Sequence, residues 1–169
     1  ALRENLPAVS EAVQAGATAV LLELPPGHYQ LGSASITIRE AGMGPRHFVS
    51  RATGHPLVEG FEPNDFRFWY HQSLGRVAPI LATVVDAEDW TPILLTGDGG
   101  WTKPWDYHPA VAEIADGKGV WRVCQITLPD CIEHNPVARQ FAQRIASPHP
   151  DSTDSRIAPE STETPIHSV

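Results

Sequence analysis

TPILLTGDGGWTKPWDYHPAVAEIADGKGVWRVCQITL, residues 91–128, carries a full secondary-structure rhythm in one segment. Its first ten residues enter through a proline into the apolar run Ile93-Leu94-Leu95 and end in Gly97-Asp98-Gly99-Gly100, which predicts a strand, since proline is tolerated at a strand's first residues. WTKPWDYHP (101–109) reads as an aromatic-rich loop. PAVAEIADG (109–117) is rich in helix formers and predicts a short helix stopped by Gly117. GKGVWRVCQITL (117–128) then reads as a strand opened by a tight glycine turn. Strand, helix and strand in succession is the pattern of an α/β protein.

The flanking segments extend that pattern. Leu6, Val9, Val13 and Ala17 recur at helical spacing and Gly16 is a stop, so residues 3–15 predict an amphipathic helix. ATAVLLELPPG (17–27) follows as a short apolar run closed by Pro25-Pro26-Gly27, the signature of a parallel strand buried on both faces. A strand ahead of the first helix is missing, which predicts a fragment or a processed product. SASITIRE (33–40), RHFVSR (46–51) and APILATVVD (78–86) read as further strands, and HPLVEGFEPND (55–65) as a loop. FEPNDFRFWY (61–70) holds five of the thirteen aromatic residues. Alternation from Asp65 puts Phe66, Phe68 and Tyr70 on a core-filling face, and Arg67 with Trp69 on the other, toward a neighbour. NPVARQFAQRIAS (135–147) predicts a last helix, capped by Asn135, with Pro136 at its first position and Val137, Phe141 and Ile145 on one face. Together these elements predict an α/β fold: three layers, a mainly parallel sheet with flanking helices, flavodoxin-like. They define a domain over 1–147 and a Pro/Ser/Thr-rich acidic tail over 148–169.

Composition sets limits on function. The 169 residues suit one domain, 41% apolar and 19% charged. The net charge of −8 disfavours a nucleic-acid partner, which wants a basic stripe. No run reaches the roughly 18–20 apolar residues of a membrane span. Two cysteines, Cys124 and Cys131, are too few for a disulfide framework and match no zinc spacing, so they predict free thiols in a reducing, cytoplasmic compartment.

Catalytic motifs are weak. A nucleophile elbow is missing: Ser33 and Ser35 lie in LGSAS without the second glycine. Cys131 lies near Glu133 and His134, but in a loop too short to orient an imidazole on a thiolate. GDGG (97–100) fits neither a dinucleotide fingerprint nor a phosphate loop. Asp65, Asp86, Asp89, Asp98 and Asp106 offer carboxylates, and spacing alone does not select a pair. Eight histidines show no metal-ligand spacing, so neither a metal nor a cofactor is expected. The aromatic residues are the better signal. Trp90, Trp101, Trp105 and Tyr107 follow predicted strand ends and join Trp69 as candidates for an interface or a sugar platform. The site candidates are therefore Asp65, Arg67, Trp69, Asp98, Trp101, Trp105 and Tyr107, for ligand or interface and not for catalysis.

HFVSRATGHPLVEGFEPNDFRFWYHQSLGRVAPILATV (47–84), TPILLTGDGGW (91–101), GKGVWRVCQITL and NPVARQFAQRIA (135–146) resemble a C-terminal domain of bacterial multidomain glycoside hydrolases similar to family 2, the β-galactosidase and β-glucuronidase group. The resemblance implies a class I glutamine amidotransferase-like fold. It also implies a separate catalytic barrel in the parent chain as partner, and an oligomerising role, as in related trimerisation domains. The family's catalytic acids belong to that barrel, so none maps onto this chain. The function expected is an accessory, non-catalytic domain of a glycoside hydrolase that packs against the barrel, oligomerises or walls a carbohydrate cleft. Two alternatives stand beside it: an amidotransferase-like enzyme using Asp98 or Cys131, and a carbohydrate-binding module.

Overall fold

The computed structural model describes residues 2–40, 49–51, 53–100 and 103–148. Ten strands and two α-helices appear among them: α1 (Leu2–Gln14), β1 (Thr18–Leu22), β2 (Gly27–Leu31), β3 (Ala34–Glu40), β4 (Val49–Ser50), β5 (Phe68–His71), β6 (Arg76–Pro79), β7 (Thr83–Asp86), β8 (Thr91–Gly100), β9 (Lys103–Asp116), β10 (Gly119–Cys124) and α2 (Pro136–Ile145). A five-stranded sheet runs β1-β10-β9-β8-β4, a three-stranded sheet β2-β3-β7, and β5-β6 form a hairpin.

The fold class differs from the sequence expectation. Among the described residues only β1 and β10 pair in parallel; every other strand pair is antiparallel. This is a mostly β protein, not a three-layer flavodoxin-like or amidotransferase-like α/β domain. The difference originates in residues 103–116. There the expected loop and short helix are one continuous fourteen-residue strand, β9. The helix propensity of Ala110, Ala112, Glu113 and Ala115 is worth only tenths of a kcal/mol per residue. Pairing with β8 over residues 103–113 and with β10 over residues 111–116 engages the backbone of β9 from end to end on one edge or the other. Cross-strand pairing outweighs local preference.

The β9–β10 turn also organises the N-terminal segment. Gly117 has φ +65 at the first central position of a two-residue loop, where a left-handed conformation suits the strand twist. Lys118 N donates to Gln14 O (3.1 Å) and Val120 N to Ala17 O (3.1 Å), so the end of α1 is stitched to this turn. A Cβ on Gly119 would lie 2.2 Å from both Val13 O and Ala17 O, which only glycine permits. Helix α1 and the parallel placement of β1 agree with the sequence reading. Strand β1 is an edge strand, however, with Leu21 buried and Leu22 exposed rather than covered on both faces.

Two hydrophobic cores result. Trp121 and Val123 of β10 join Val13, Leu31, Ile36, Ile38, Val85 and Trp90 in one. Cys124 joins Ile93, Leu94, Val111, Phe66, Trp69, Phe141 and Ile145 in the other. Phe61, Phe66 and Phe141 meet edge to face at 5.0–6.1 Å, with Trp69 at 6.0 Å from Phe66. Each such contact adds about 0.5–1.5 kcal/mol beyond area burial.

Several local expectations are corrected here. Residues 78–86 are not one strand: β6 ends at Pro79 and β7 begins at Thr83, with Ile80 and Leu81 buried between them. Strand β2 was not foreseen from GHYQL. Pro56–Val58 form a short 3-10 turn inside the expected loop. In the 61–70 segment the faces are reversed. Phe66 lies in a turn, fully buried, and the strand begins only at Phe68, so Trp69 and His71 point inward while Phe68 and Tyr70 face outward at 47% and 36% exposure. Asn135 stands at the N-terminal cap of α2 but makes no side-chain cap bond. Its amide instead clips the edge of β5: Oδ1 accepts from Tyr70 N (3.1 Å) and Nδ2 donates to Tyr70 O (2.9 Å).

The second core is closed by a buried ionic network. Arg122, 1% exposed, donates from Nε to Glu113 Oε2 (2.7 Å) and from one terminal nitrogen to the carbonyls of Ile145 (2.7 Å) and Ser147 (2.6 Å). His55 Nε2 lies 3.1 Å from Glu113 Oε1, while its Nδ1 accepts from Leu57 N. One guanidinium thus ties the sheet to the C-terminal end of α2, where unpaired carbonyls attract a cation.

Candidate functional site

The sequence-predicted residues fall into two groups and leave one outside. Asp65, Arg67 and Trp69 come together as a structural turn. Asp65 Oδ2 accepts from Glu62 N (2.7 Å), its carbonyl accepts from Trp69 Nε1 (2.6 Å), and an Arg67 terminal nitrogen donates to Asn64 Oδ1 (3.2 Å). Trp69 is buried, so it is no stacking platform and does not face a neighbour. Asp98, Trp105 and Tyr107 are placed by the far end of the β8–β9 ladder, with Asp98 opposite Asp106 and Gly97 opposite Tyr107. Tyr107 is 68% exposed, the most open large apolar side chain among the described residues. Trp101 lies outside the described residues, as does the tail from residue 149. Trp90 is buried and does not form an aromatic platform.

Both thiols lie in surroundings that disfavour the thiolate. Cys124 and Cys131 are both free and buried. Burial pushes the Cys124 thiol up to about 12. Burial, aided by Asp130 and Glu23, pushes Cys131 to about 11. A nucleophilic cysteine needs the opposite shift. His134 does not serve Cys131; it packs edge-on against Tyr70, ring centres 5.3 Å apart. Ser33 donates its hydroxyl to Asp116 Oδ1 (3.3 Å), which also accepts Trp121 Nε1 on Oδ2 (3.1 Å), so it is a packing residue.

Among the described residues, two hollows stand out that the sequence did not reveal. The larger, about 750 Å³, is bounded by β2, β3 and the segment after β7. The pairing His28↔Thr37 and Gln30↔Ser35 sets four polar side chains on one face of the hairpin. Asp86, the cross-strand neighbour of Thr37, continues this face, Glu88 and Asp89 add two more carboxylates, and Trp90 and Ile114 contribute apolar wall. His28 Nδ1 is 2.8 Å from Thr37 Oγ1 and Gln30 Nε2 donates to Gly32 O (3.0 Å). Trp90 Nε1 is buried without a hydrogen-bond partner. This wall mixes hydroxyl, amide, imidazole and carboxylate groups in a space that suits a small polar ligand.

The smaller hollow lies where β1, β5 and the loop after β10 meet, lined by Glu23, His71, Ser73, Leu74, Thr127, Pro129 and Asp130. Asp130 accepts from Ser73 N (2.8 Å) and Ser73 Oγ (2.7 Å), and His71 Nδ1 lies 3.3 Å from its Oδ2. These bonds, the Ser73 hydroxyl first, hold the Asp130 carboxyl below the usual carboxylate range. Glu23 shifts the other way: burial raises it, against the opposing pull of the Thr127 hydroxyl. Glu23 is also the one non-glycine residue with positive φ (48°) among those described. Residues 23, 71 and 130 are far apart in sequence and share no motif, so only the tertiary fold could reveal them.

Among the described residues no group of three His, Cys, Asp or Glu side chains could hold a metal ion. No helix there is long and apolar enough to cross a membrane. No family model, no curated protein and no solved structure matches the chain.

Proposed function

We propose that this chain is a non-catalytic accessory domain that binds a neutral carbohydrate in the hollow between β2–β3 and residues 86–90. The observation that carries the reading is the wall itself. His28, Gln30, Ser35 and Thr37 share a sheet face with Asp86, the cross-strand neighbour of Thr37, and with Glu88 and Asp89 they line a hollow of about 750 Å³. Sugar hydroxyls donate and accept at once, and such a wall offers both capacities. The carboxylates disfavour an acidic sugar by like-charge repulsion. The raised thiols and the structural engagement of Ser33 support the non-catalytic part. The resemblance to family 2 glycoside hydrolases supplies the carbohydrate context; the amidotransferase-like fold that it implied is not retained.

The test is a nuclear magnetic resonance titration of the chain with neutral mono- and disaccharides and with the matching uronic acids. Saturable shifts confined to 28–37 and 86–90, stronger for the neutral sugars and abolished by Asp89→Ala with Gln30→Ala, support the reading. Absence of saturable shifts with every sugar overturns it.

A second reading has its own observation. Phe68, Tyr70 and Val77 lie exposed on the outer face of the β5–β6 hairpin, with Leu74 at its turn, at 36–59% exposure. An apolar face of this kind suits packing against another domain, such as the barrel that the resemblance implies.

A further inference from the structure

Strand β1 leaves one edge of the five-stranded sheet open. It pairs with β10 in parallel, from Thr18 beside Val120 to Leu22 beside Cys124. In a parallel ladder alternate residues of a strand turn both backbone groups to the neighbour, and the residues between them turn both away. Two bonds fix the phase: Val120 N donates to Ala17 O (3.1 Å) and Glu23 N donates to Cys124 O (2.8 Å). Residues 17, 19, 21 and 23 therefore address β10. Thr18, Val20 and Leu22 turn their N–H and C=O groups outward, and among the described residues no strand lies beyond them. Two devices that commonly blunt such an edge are missing, because TAVLL holds neither a proline nor a charged side chain. Leu22, at the end of this edge, is 38% exposed.

We propose that a second copy of this chain pairs with β1 edge to edge, antiparallel about a two-fold axis at Val20, joining the two sheets into one. The spacing of the outward groups carries the choice of occupant. Thr18 and Leu22 are equidistant from Val20 along the strand. The axis therefore sets Val20 opposite Val20 of the second copy, and Thr18 opposite Leu22 of the second copy. Each of these is then a hydrogen-bonded pair of an antiparallel ladder, and the outward groups of the two copies pair off completely. The faces match as well. Arg122, beside Val20, reaches the carbonyls of Ile145 and Ser147, Thr18 Oγ1 donates to Ser147 O (3.4 Å), and Cys124, beside Leu22, shares a core with Phe141 and Ile145. The side chains of Thr18, Val20 and Leu22 thus lie on the α2 side. A two-fold axis perpendicular to the sheet keeps that side common to both copies. Leu22 of each copy then lies beside Thr18 and the end of α2 of the other, which takes apolar surface out of water. The pairing uses the same edge of both copies, so it closes at two chains, the commonest oligomer. Five residues of strand span roughly 17 Å, and they cover less than the roughly 800 Å² per partner of a standard interface. The dimer is therefore concentration-dependent, with a dissociation constant of about 10 μM to 1 mM.

Sedimentation equilibrium of the whole chain from about 10 μM to about 1 mM, with amide hydrogen exchange at both ends of that range, tests the proposal. The mass is expected to rise from one chain toward two. Amide exchange at Thr18, Val20 and Leu22 should slow as it does, while Ala19, Leu21 and Glu23 stay protected throughout. Val20→Pro removes an outward N–H and no bond to β10, and proline is accepted on an edge strand; it should keep the fold and abolish the dimer. Leu22→Lys, at an exposed position, places a charge on the edge without touching the backbone, and should raise the dissociation constant about tenfold or more. A single-chain mass at the highest concentration overturns the proposal. So does a dimer in which the amides of Thr18, Val20 and Leu22 gain no protection, or one that folded Val20→Pro or Leu22→Lys leaves as tight as before. Protection of those three amides in the single chain would assign the edge to a segment of the same chain instead, and masses climbing past two chains would exclude the two-fold axis.

Discussion

Replacing Arg122 with methionine tests the interior of the fold most directly. The guanidinium makes three hydrogen bonds, one to Glu113 and two to carbonyls at the end of α2, at 1% exposure. Methionine fills most of the volume, so the change is electrical rather than steric. It takes the guanidinium away from the Glu113 side chain, itself 9% exposed and still in contact with His55, and it releases two carbonyls. Breaking a buried pair from one side costs about 3–5 kcal/mol. At about 2–4 °C per kcal/mol for a protein of this size, the melting temperature should fall by roughly 6–20 °C. Pairing Arg122→Met with Glu113→Leu removes both charges and should recover much of the loss, to within about 2 kcal/mol of the parent. Urea unfolding of the parent, both single variants and the double variant closes the thermodynamic cycle. A single variant within about 1 kcal/mol of the parent, or a double variant worse than the sum of the singles, would refute the argument that the pair is desolvated and mutually dependent.

Three further outcomes follow from the geometry. Gly119→Ala drives a Cβ into the carbonyls of Val13 and Ala17, so it should lower stability by about 1–3 kcal/mol, read by the same urea titration; an unchanged midpoint would mean that α1 does not sit against β10. The two carboxylates of the smaller hollow should show opposite pH dependence. Asp130 is lowered from 3.8, so its contribution is present above that value and lost as pH falls through the lowered one; Asp130→Asn should cost stability near neutrality and nothing in strong acid. Glu23 is raised from 4.5, so its contribution is present below that value and lost as pH rises through the raised one; Glu23→Gln should therefore gain stability near neutrality and lose that gain in acid, and melting curves across pH that show the two moving together would be wrong for this hollow. Finally, Phe68→Ser should change stability by less than about 0.5 kcal/mol, whereas Phe66→Ala should cost about 3–5 kcal/mol; comparable losses at both positions would restore the opposite strand register.

What could be read from the sequence depended on whether the deciding interaction was local. The first helix, with Val9 and Val13 in phase and Gly16 behind them, was legible, and so was the last, with Pro136 at its start. The glycine turn before Val120 was legible because two-residue hairpin loops carry their own backbone demand. Residues 109–116 were not. Their helix-forming alanines meet a β8 edge and a β10 edge that only the folded chain supplies. Phe66 is interior as its alternation suggests, but the turn around Asn64 and Asp65 extends past it, so the alternation restarts at Phe68 and the faces of Phe68, Trp69 and Tyr70 are the reverse of those expected. Of the candidate site, the aromatic residues drew attention by type, yet Trp69 and Trp90 are interior. The polar hollows depend on positions such as 30 with 89, or 23 with 130, that no periodicity joins.

The pairing of β1 with β10 also orders events in time. Strands β8, β9 and β10 are sequential and antiparallel, so each closes a short loop on its predecessor. Strand β1 must instead find a partner about a hundred residues away, Thr18 opposite Val120 and Leu22 opposite Cys124. Loop-closure entropy makes such a contact late and slow. On a ribosome, the first two dozen residues would wait for nearly the whole domain to be synthesised before docking.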